Sequence, residues 1–398
     1  MIKIAILGFG VVGSGTAEVL TENKKIIEER LGCEYEIKYI LDLRDFPDSP
    51  FADLVVHDFN IILNDPEVTI VAEMMGGSHP AYDFSKACLE AGKHVVTSNK
   101  EVVSNFGVEL CSIAAAHNVR YLFEASVGGG IPVIRPMIND LASNKITKIC
   151  GILNGTTNYI LTKMRDEGAS FADALANAQK LGYAEANPSA DVDGIDAARK
   201  IVILAALASG KLISPKSIYT EGITAISLLD TKLADALGAS IKLIGQAHIG
   251  ENGLTALVSP CVVPKSNPLS RIDDVFNGIL VDANMVGEVM FYGPGAGKLP
   301  TASAVVADII DIIAHMDSDL KIISWAEAKE EDLSSFDNFE AKRVFIASAE
   351  LCFPTDVSVI ATAQADSAYA YMTSAISEAK VRELTENNSA VLSVFRAL

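Results

Sequence analysis

Residues 3–15 read KIAILGFGVVGSG, and this stretch decides the fold. A short apolar run ends at Leu7, glycines follow at the spacing G-x-G-x-x-G, and a helical pattern then runs through Val19 and Leu20 toward Arg30. In this order of strand, turn and helix, glycines let the backbone approach a pyrophosphate whose charge meets the helix N-terminus. We therefore predict a dinucleotide site; the alternative is a purely structural glycine turn.

The residues after the second predicted strand bear on the choice of dinucleotide. That strand covers residues 35–41, and DLRD follows as residues 42–45. A carboxylate here, such as Asp42, binds the 2′-hydroxyl of NAD, whereas an arginine such as Arg44 suits the 2′-phosphate of NADP. Both are present, so the sequence predicts NAD or NADP without choosing, and Asp42 alternatively is a solvated residue at the strand's end.

Strands and helices continue to alternate up to about residue 133. A strand is predicted over residues 69–74, a helix near 80–91, and further strands start at His94 and Tyr121. This alternation predicts a doubly wound parallel sheet that binds its ligand at the carboxyl ends of the strands. Lys100 falls at such an end, either as a site residue or as an ordinary surface lysine.

A glycine-rich bend follows the strand that starts at Tyr121. Residues 124–132 read EASVGGGIP. Its backbone carbonyls are candidates to surround a hard cation, with Glu124 beside them. The alternative is a bend that only turns the chain.

Residues 191–207 read DVDGIDAARKIVILAAL, and we place the chemistry here. Asp193 is the predicted N-cap of a helix, with Asp196 three residues on. Asp196 and Lys200 are four apart and share a face, and the apolar residues after Lys200 put its ammonium at the edge of a dry region. An amine there can exchange protons with a substrate; the alternative is a surface salt bridge.

Acidic residues crowd the approach to this helix. Glu185, Asp191, Asp193 and Asp196 fall within twelve positions. Such crowding indicates a cation, either Lys200 or the ammonium group of a substrate. Upstream, a strand predicted over residues 148–153 leads to NGTTNY at 154–159, whose polar side chains either cap a helix or line a polar site.

The second half of the chain contains elements of a different type. A glycine bend, FYGPGAG at residues 291–297, opens an apolar helix and is either a phosphate or nicotinamide contact or a tight turn. The other predicted elements are antiparallel strands at 241–249, 254–263 and 278–284, a charged linker at 327–340, strands at 344–349 and 357–363, a helix near 369–384, and a strand at 390–395.

Composition excludes several classes of function. The chain of 398 residues is long enough for two or three domains. Lys and Arg total 32 against 51 Asp and Glu, a net charge of -19, which disfavours a nucleic-acid-binding surface. Six scattered cysteines contain no C-x-x-C pair, which argues against a zinc site and a disulfide framework. With no signal peptide and no apolar run of membrane-spanning length, we expect a soluble cytoplasmic protein without membrane partners.

Together these motifs resemble the homoserine dehydrogenase family over roughly the first 315 residues. The run NGTTNY is the most specific of them. The other matching segments are Gly8 to Gly15, Ser98-Asn99-Lys100, Glu124 to Pro132, Leu181-Gly182-Tyr183 with Glu185, Asp193-Gly194-Ile195-Asp196 with Lys200, and Gly293 to Gly297.

The resemblance implies NAD(P)-dependent interconversion of L-aspartate 4-semialdehyde and L-homoserine, in threonine, methionine and isoleucine biosynthesis. It implies Lys200 as proton donor, Lys100 between cofactor and substrate, and Asp196 as a third catalytic residue. Glu185 and Asp196 would hold the substrate, supported by Asp191. The implied cofactor contacts, with Arg44 added from its position, are Phe9, Gly10, Val11, Val12, Arg44, Ser98, Lys100, Gly182 and Gly297.

The resemblance also implies a bound sodium ion and a homodimer or larger homo-oligomer. Glu124 and the carbonyl groups of Val127, Gly129 and Ile131 would hold the ion, for structure. The fold class is α/β: a Rossmann-type doubly wound sheet, an α+β catalytic and dimerisation domain, and a small C-terminal α+β unit. The expected boundaries are 1–133 completed by the helix at 300–316, then 134–299, then 325–398.

The C-terminal tail, residues 325–398, departs from the family pattern. Many relatives end in an ACT-type regulatory domain of similar size, but the usual aspartate-x-proline-glycine-valine effector turn is absent and FPTDV at 353–357 is a poor substitute. The motifs leave two rival functions. An aldehyde-oxidising semialdehyde dehydrogenase needs an active-site cysteine, and none of the six lies in such a context. A non-catalytic dinucleotide-sensing regulator would need no charged second-domain site.

Overall fold

The structure, a computed structural model, describes residues 1–251, 253–316, 323–386 and 388–398. The chain divides into two compact units. Unit 1 contains Met1–Ser143, Gly210–Ser214 and Gly293–Glu327. Unit 2 contains Asn144–Ser209, Pro215–Tyr292 and Ala328–Leu398. No helix of the described residues has both the length and the apolar character needed to cross a membrane.

The strands in chain order are β1 (Ile2–Leu7), β2 (Tyr35–Leu41), β3 (Val55–Val56), β4 (Val68–Glu73), β5 (His94–Thr97), β6 (Tyr121–Leu122), β7 (Ile146–Ile152), β8 (Lys211–Leu212), β9 (Tyr219–Thr220), β10 (Ala239–Gly250), β11 (Gly253–Pro264), β12 (Phe276–Ala283), β13 (Gly287–Pro294), β14 (Ala326–Glu327), β15 (Glu340–Ala347), β16 (Val359–Ala365), β17 (Ala368–Thr373), β18 (Ile376–Ser377) and β19 (Val391–Ala397).

The helices are α1 (Val11–Glu22), α2 (Lys24–Leu31), α3 (Phe59–Leu63), α4 (Ala81–Glu90), α5 (Lys100–Ala116), α6 (Ile134–Ile138), α7 (Gly155–Glu167), α8 (Phe171–Lys180), α9 (Ser189–Val192), α10 (Ile195–Ser209), α11 (Leu228–Ala236), α12 (Lys298–Ala314) and α13 (Glu378–Thr385).

Unit 1 is built on a parallel sheet of six strands in the order β3-β2-β1-β4-β5-β6. The predicted doubly wound sheet is confirmed. Sheets of this type bind ligands at the carboxyl ends of their strands, here those of β1, β2, β4 and β5. Ile4 and Ile6 of β1 are fully buried, and Val305 and Ile309 of α12 belong to the same core. Burial of each such side chain contributes about 1.5–3 kcal/mol.

The helix predicted to run through Val19 toward Arg30 is two helices. α1 ends at Glu22, Asn23 has φ -98° and ψ 12°, and α2 follows. The prediction of one helix was wrong because asparagine readily leaves helical geometry. Of the residues in α2 only Ile27 is buried, so little packing opposes the break.

Unit 2 is built on a mixed sheet in the order β13-β12-β7-β10-β11-β19-β15-β17-β16. Its centre is the long antiparallel hairpin of β10 and β11, which pairs from Ala239 with Pro264 to Gly250 with Gly253. β7 pairs antiparallel with both β10 and β12. The predicted antiparallel strands of this half are confirmed, and α10 packs on the hairpin.

The C-terminal tail, residues 325–398, adds strands to this sheet. β19 pairs in parallel with β11 at Cys261 and Arg396, and antiparallel with β15. The helix predicted near 369–384 was wrong in its first part, because Ala368, Ala370 and Met372 alternate as the buried face of strand β17. The predicted linker at 327–340 contains the end of β14 and two 3-10 turns. That residues 325–398 act as a separate regulatory domain stays a prediction.

Candidate active site

Two glycines at the junction of β1 and α1 lie where a side chain would not fit. Gly8 has φ +90°, and a Cβ on it would lie 2.9 Å from the carbonyl oxygen of Met74. A Cβ on Gly13 would lie 1.9 Å from the carbonyl oxygen of Gly8. α1 begins at Val11 after the N-cap Gly10, and no side chain caps it. The turn therefore presents backbone N–H groups and a helix dipole, which suits a diphosphate.

The four predicted contacts in this turn differ in exposure. Gly10 and Val11 are exposed and Val12 is half-buried. Phe9 is 5% exposed, and its ring packs edge-on against Phe46 at 5.0 Å. The side chain of Phe9 therefore belongs to the core, and its backbone N–H donates to Asp42 at 2.9 Å.

A cavity of about 480 Å³ opens at the carboxyl ends of β1, β2 and β4. Gly10, Asp42 and Arg44 contribute to its polar wall. Phe59 and Phe84 contribute to its apolar wall, with their rings stacked at 3.9 Å. An apolar pocket with a few polar groups is the usual setting for a heterocyclic ligand.

Asp42 and Arg44 bind each other at this cavity. Asp42 accepts hydrogen bonds from the Phe9 backbone N–H at 2.9 Å and from Arg44 Nε at 3.0 Å. These bonds, the guanidinium first among them, lower the pKa of Asp42 to about 2. His57, a cavity residue that sequence analysis missed, contacts the Asp42 carbonyl oxygen through Nδ1 at 2.7 Å, which raises the pKa of His57. Asp42 is thus a fixed anion, and Arg44 is held against it.

Ser98-Asn99-Lys100 joins β5 to α5. Asn99 is the N-cap, and its side-chain oxygen accepts hydrogen bonds from the N–H groups of Glu101 and Val102. Its side-chain nitrogen donates to the carbonyl oxygen of Gly77 at 2.7 Å. Lys100 is the first residue of α5 and is half-buried. The predicted position of Lys100 at the carboxyl end of a strand is therefore observed, next to a rigid cap.

A buried carboxyl supports this segment from below. Glu73, at the end of β4, accepts hydrogen bonds from the N–H of Met75 at 2.7 Å and from Thr97 Oγ1 at 2.6 Å. Thr97 Oγ1 accepts in turn from the N–H of Asn99 at 2.9 Å. Burial raises the pKa of Glu73 to about 7. Glu73 was not identified from the sequence, because it is simply the last charged residue of a predicted strand.

Two glycines predicted to contact the cofactor lie in different units. Gly297, in unit 1, has φ +122° and is the N-cap of α12. Gly182, in unit 2, has φ +78° and lies in the exposed turn after α8. Both conformations favour glycine.

The proposed sodium residues surround a tight bend in unit 1. Glu124 Oε1 accepts from the N–H groups of Val133 and Ile134, and Oε2 accepts from that of Arg135, all at 2.7–2.8 Å. A carboxylate has about four acceptor sites, so room remains for one more partner. The carbonyls of Val127, Gly129 and Ile131 lie in buried residues and accept no hydrogen bond within the described part of the chain. This donor set suits a hard cation.

Lys200 and Asp196 form a buried pair at the start of α10. Lys200 Nζ donates to Asp196 Oδ2 and to the carbonyl oxygen of Leu153, both at 2.7 Å. Lys200 is 7% exposed and Asp196 4%. The predicted surface alternative therefore does not apply, because both charges are largely out of water.

Asn154 joins this pair to a second carboxylate. Its side-chain nitrogen donates to Asp191 Oδ1 at 2.7 Å and to Asp196 Oδ2 at 2.9 Å. Asp191 lies on α9 and is half-buried. The structure thus brings together Asp191, Asp196 and Lys200, as sequence analysis expected, and adds Asn154 between them.

Asp193 does not cap α10 as predicted. It ends α9, and its carboxylate accepts a hydrogen bond from Ser189 Oγ at 2.6 Å. Gly194, at φ +82°, turns the chain, and its carbonyl oxygen accepts the N–H of Ala198. Asp193 is exposed and is the C-cap of α9. The prediction was wrong because the sequence pattern does not show that a second, short helix ends there.

Glu185 is not drawn into this cluster. It is exposed in the loop between α8 and α9, and among the described residues its side chain forms no hydrogen bond or ion pair. Its backbone is held by Gln179, whose Nε2 donates to the Glu185 carbonyl oxygen at 3.0 Å. Thr156 Oγ1 donates to the carbonyl oxygen of Tyr183 at 2.6 Å, which ties the loop to α7.

Nearly every residue of the run at 154–159 makes a defined contact. A Cβ on Gly155 would lie 2.6 Å from the carbonyl oxygen of Val275. Asn158 donates to the carbonyl oxygens of Ile272 and Phe276, at 3.0 and 3.1 Å. Tyr159 accepts a hydrogen bond from Asn177 of α8 at 2.9 Å. Substitutions in this run would therefore break defined contacts of α7 with its neighbours.

Two family models match this chain. The model described as "Homoserine dehydrogenase, NAD binding domain" matches residues 8–124, and the model described as "Homoserine dehydrogenase" matches residues 132–310. The chain is 43% identical over 321 residues to homoserine dehydrogenase of Neisseria gonorrhoeae, covering 80% of this chain and 74% of that protein. It is 44% identical over 325 residues to homoserine dehydrogenase of Synechocystis, with the same coverage.

Solved structures match the tail as well. A crystal structure of a homoserine dehydrogenase from Thiobacillus denitrificans has TM-score 0.90 and 33% identity, and covers 100% of this chain and 98% of its own. One from S. aureus at pH 7.5 has TM-score 0.81 and 32% identity, with the same coverage. A hyperthermophilic archaeal homoserine dehydrogenase in complex with NADPH has TM-score 0.68 and 28% identity, and covers 80% of this chain and 98% of its own.

Proposed function

The chain belongs to the homoserine dehydrogenase family, and from this we propose that Lys200, Asp196 and Asp191 carry its substrate chemistry. The protein is an NAD(P)-dependent oxidoreductase that interconverts L-aspartate 4-semialdehyde and L-homoserine, a step of amino-acid biosynthesis. The observation that carries the assignment is the buried ammonium of Lys200, held at 2.7 Å by both Asp196 and the Leu153 carbonyl oxygen.

Lys200 is the proposed proton donor in the reductive direction. When bound, the nicotinamide supplies the hydride that reaches the aldehyde carbon. Negative charge then grows on the aldehyde oxygen, and the Lys200 ammonium both neutralises it and provides its proton. In the oxidative direction the neutral amine of Lys200 removes the hydroxyl proton of homoserine. Asp196 orients Lys200 throughout.

Carboxylates are proposed to bind the substrate's ammonium group. Asp191 and Asp196 lie on either side of Asn154, so an ammonium placed there would form charge-assisted hydrogen bonds. Glu185 is exposed on a loop next to Gly182, and its role requires that its side chain turn toward the ligand. Glu185 therefore supplies a mobile substrate contact in this proposal, whereas Asp191 and Asp196 supply fixed ones.

The remaining residues are proposed to hold the cofactor. The N–H groups of Val11 and Val12, which open α1 and have no partner within the helix, suit the diphosphate, and the cavity beside Asp42 suits the adenosine. Ser98 and Lys100, at the end of β5, are placed where ligands of such sheets bind. Phe9, Gly10, Gly182 and Gly297 contribute backbone, which is why their conformations matter more than their side chains.

NAD is the proposed preferred cofactor. The Asp42 carboxylate can accept a hydrogen bond from the 2′-hydroxyl of NAD but repels a 2′-phosphate, and Arg44 is bound to Asp42 rather than free for that phosphate. Asp42→Ala should shift the ratio of kcat/KM values toward NADP by at least about tenfold, since repulsion is removed and Arg44 is released. Initial rates with both cofactors measure this; Asp48→Ala, exposed on the same loop, is the control. An unchanged ratio would remove Asp42 as the selector.

Sodium binding and self-association are further parts of the proposal. Glu124 with the carbonyls of Val127, Gly129 and Ile131 would hold the ion for structure, as their acceptor capacity permits.

A homodimer is supported by the exposed apolar residues at the β13 end of the sheet, Met285, Val286, Met290 and Tyr292. Light scattering of the full chain measures its mass. We propose that the protein works in the cytoplasm.

One assay tests the proposed function. Purified full-length protein is mixed with L-homoserine and NAD or NADP, and reduced nicotinamide is followed at its absorption band. We expect formation of the reduced cofactor with at least one of the two, with NAD the better. Well-folded protein that forms none with either cofactor would refute the enzyme assignment and favour a dinucleotide-sensing regulator.

A further inference from the structure

The carboxamide of Asn154 has its two ends engaged in different tasks. Its oxygen accepts the N–H of Thr157 at 2.9 Å, which caps α7. This bond fixes the rotation of the amide, so its nitrogen must face the opposite way. There it donates to Asp191 at 2.7 Å and to Asp196 at 2.9 Å. The helix cap therefore aims the amide at two carboxylates.

The carboxylates of Asp191 and Asp196 would repel each other without the amide of Asn154 between them. Asn154 is 5% exposed and Asp196 4%, so water screens this repulsion poorly. An amide uses both of its N–H groups here without adding charge. Lys200 balances one of the two carboxylate charges. The cluster thus keeps one net negative charge for a cationic ligand, which a lysine or arginine in place of Asn154 would have neutralised.

The neighbouring residue acts on the other partner of the pair. The carbonyl oxygen of Leu153 accepts from Lys200 Nζ at 2.7 Å, and Asp196 Oδ2 accepts from both Lys200 and Asn154. Two consecutive residues after β7 therefore contact the amine and both carboxylates. A shift of this short segment would move all three groups together.

We propose that Asn154 is a positioning residue for the dehydrogenase reaction, a role that rests on the proposed function of Lys200 and Asp196. Its amide holds Asp196 Oδ2 against the Lys200 ammonium and sets the spacing of Asp191 from Asp196 for the substrate's ammonium group. Asn154 itself transfers no proton. A misplacement of about 1 Å at such a site can lower turnover by about 100-fold.

The test separates capping from positioning with two substitutions. Asn154→Ser and Asn154→Asp both keep a side-chain oxygen that can cap α7, but neither keeps the amide donors. We expect both to retain the melting temperature of the wild type within a few degrees and the KM for the cofactor. We expect kcat/KM for homoserine to fall by about 100-fold, since the carboxylates lose their shared donor.

Asn154→Asp should differ from Asn154→Ser in its response to pH. At neutral pH its added carboxylate repels Asp191 and Asp196, whereas a protonated Asp side chain at lower pH can donate to one of them. The activity of Asn154→Asp relative to Asn154→Ser should therefore rise as the pH falls. A residue that served only as a cap would give no such difference.

The matched control makes the same chemical change at another cap of unit 2. Asn267 accepts the N–H of Leu269 at 3.0 Å, and its hydrogen bonds among the described residues do not reach the carboxylates. Asn267→Asp should have the kinetics of the wild type. If folded Asn154→Ser and Asn154→Asp turn over homoserine within about threefold of the wild type, the positioning role is refuted while the proposed function stands. If Asn154→Asp fails to fold, Asn154→Ser alone decides. A wild type that leaves homoserine unchanged refutes the proposed function, and this role with it.

Discussion

At the scale of single residues, the environment of Lys200 decides what its ammonium can do. A salt bridge between an exposed lysine and a carboxylate contributes only about 0–1 kcal/mol to stability, too little to hold the lysine side chain in one position. Lys200 is instead largely buried and fixed by two acceptors from different elements, Asp196 on α10 and Leu153 after β7. A fixed ammonium needs little reorganisation when charge develops on a substrate oxygen.

Lys200→Ala should lower kcat for homoserine oxidation by about 100- to 10,000-fold, the usual contribution of a general acid or base. Cofactor binding and the fold should survive, because Asn154 still donates to Asp196. Steady-state rates and a fluorescence titration of the cofactor measure the two effects. Lys200→Arg, which keeps the charge but cannot act as a base near neutral pH, should stay impaired. Lys180→Ala, on the exposed end of α8, is the control, and near-normal turnover of Lys200→Ala would exclude Lys200 as proton donor.

Glu73 makes stability depend on pH. The folded protein holds the proton of Glu73 up to about pH 7, whereas the unfolded chain releases it near roughly pH 4.3. The stabilisation from this group is therefore complete below about pH 4, falls as the pH rises, and is lost above about pH 7, a change of about 4 kcal/mol. Glu73→Gln should remove this part of the fall in unfolding free energy between pH 4.5 and 8, measured with urea. Glu67→Gln, at an exposed position, should not; equal slopes in all three proteins would contradict the assignment.

At the scale of elements, the start of α7 is the junction on which unit 2 depends. Asn154 caps the helix, Gly155 lets it approach the residue before β12, and Asn158 binds the carbonyl oxygens of Ile272 and Phe276. β7 leads directly into this junction from the sheet, and α10, which carries Asp196 and Lys200, contacts β7. The run at 154–159 therefore packs α7 against its neighbours and also, through Asn154, contacts the carboxylates of the site.

Gly155→Ala tests how closely these elements are packed. Its methyl group would lie 2.6 Å from the carbonyl oxygen of Val275, so backbone must move. We expect a loss of about 1–3 kcal/mol in unfolding free energy, typical of overpacking, together with reduced turnover of homoserine. Gly250→Ala is the control, because nothing lies within 4 Å of its Cβ position. Full stability of Gly155→Ala would show that the close approach is unimportant.

At the scale of the whole molecule, the tail belongs to the sheet that carries α10. Arg343 and Arg396 are 1% and 6% exposed, and both donate to Glu378, at 2.6 and 2.7–2.9 Å. β19 then pairs with β11 through Arg396. Because these contacts lie inside unit 2, we expect the tail and the rest of this unit to unfold together.

Glu378→Ala should test this cooperativity. It leaves two buried guanidinium groups without their shared carboxylate, which should cost about 3–5 kcal/mol of unfolding free energy. Urea unfolding followed by circular dichroism should show a lower midpoint with one unit 2 transition. Glu383→Ala removes an exposed carboxylate from the same helix and should have little effect. A separate early transition in Glu378→Ala would instead favour an independent tail domain.

Much of the fold followed from local patterns. The glycines at 8, 10 and 13 can be recognised from sequence because their spacing between a strand and a helix is a local pattern. The pairing of Asp196 with Lys200 was predictable for the same reason, as helical spacing puts them on one face. Predictions failed for two different reasons. At Asn23 the local preference of asparagine divided one predicted helix into two, and in β17 sheet pairing and burial outweighed the helical pattern.

The sequence alone determined the parallel sheet, the dinucleotide turn, the family and the charged start of α10, because each is written in residues close together along the chain. Only the tertiary structure decided that Lys200 is buried, that Leu153 and Asn154 complete its surroundings, and that Arg44 is bound to Asp42. Leu153 and Lys200 are 47 positions apart, and no local pattern records such a contact. Burial and long-range hydrogen bonds depend on how whole elements pack, and they set the chemistry of a charged group.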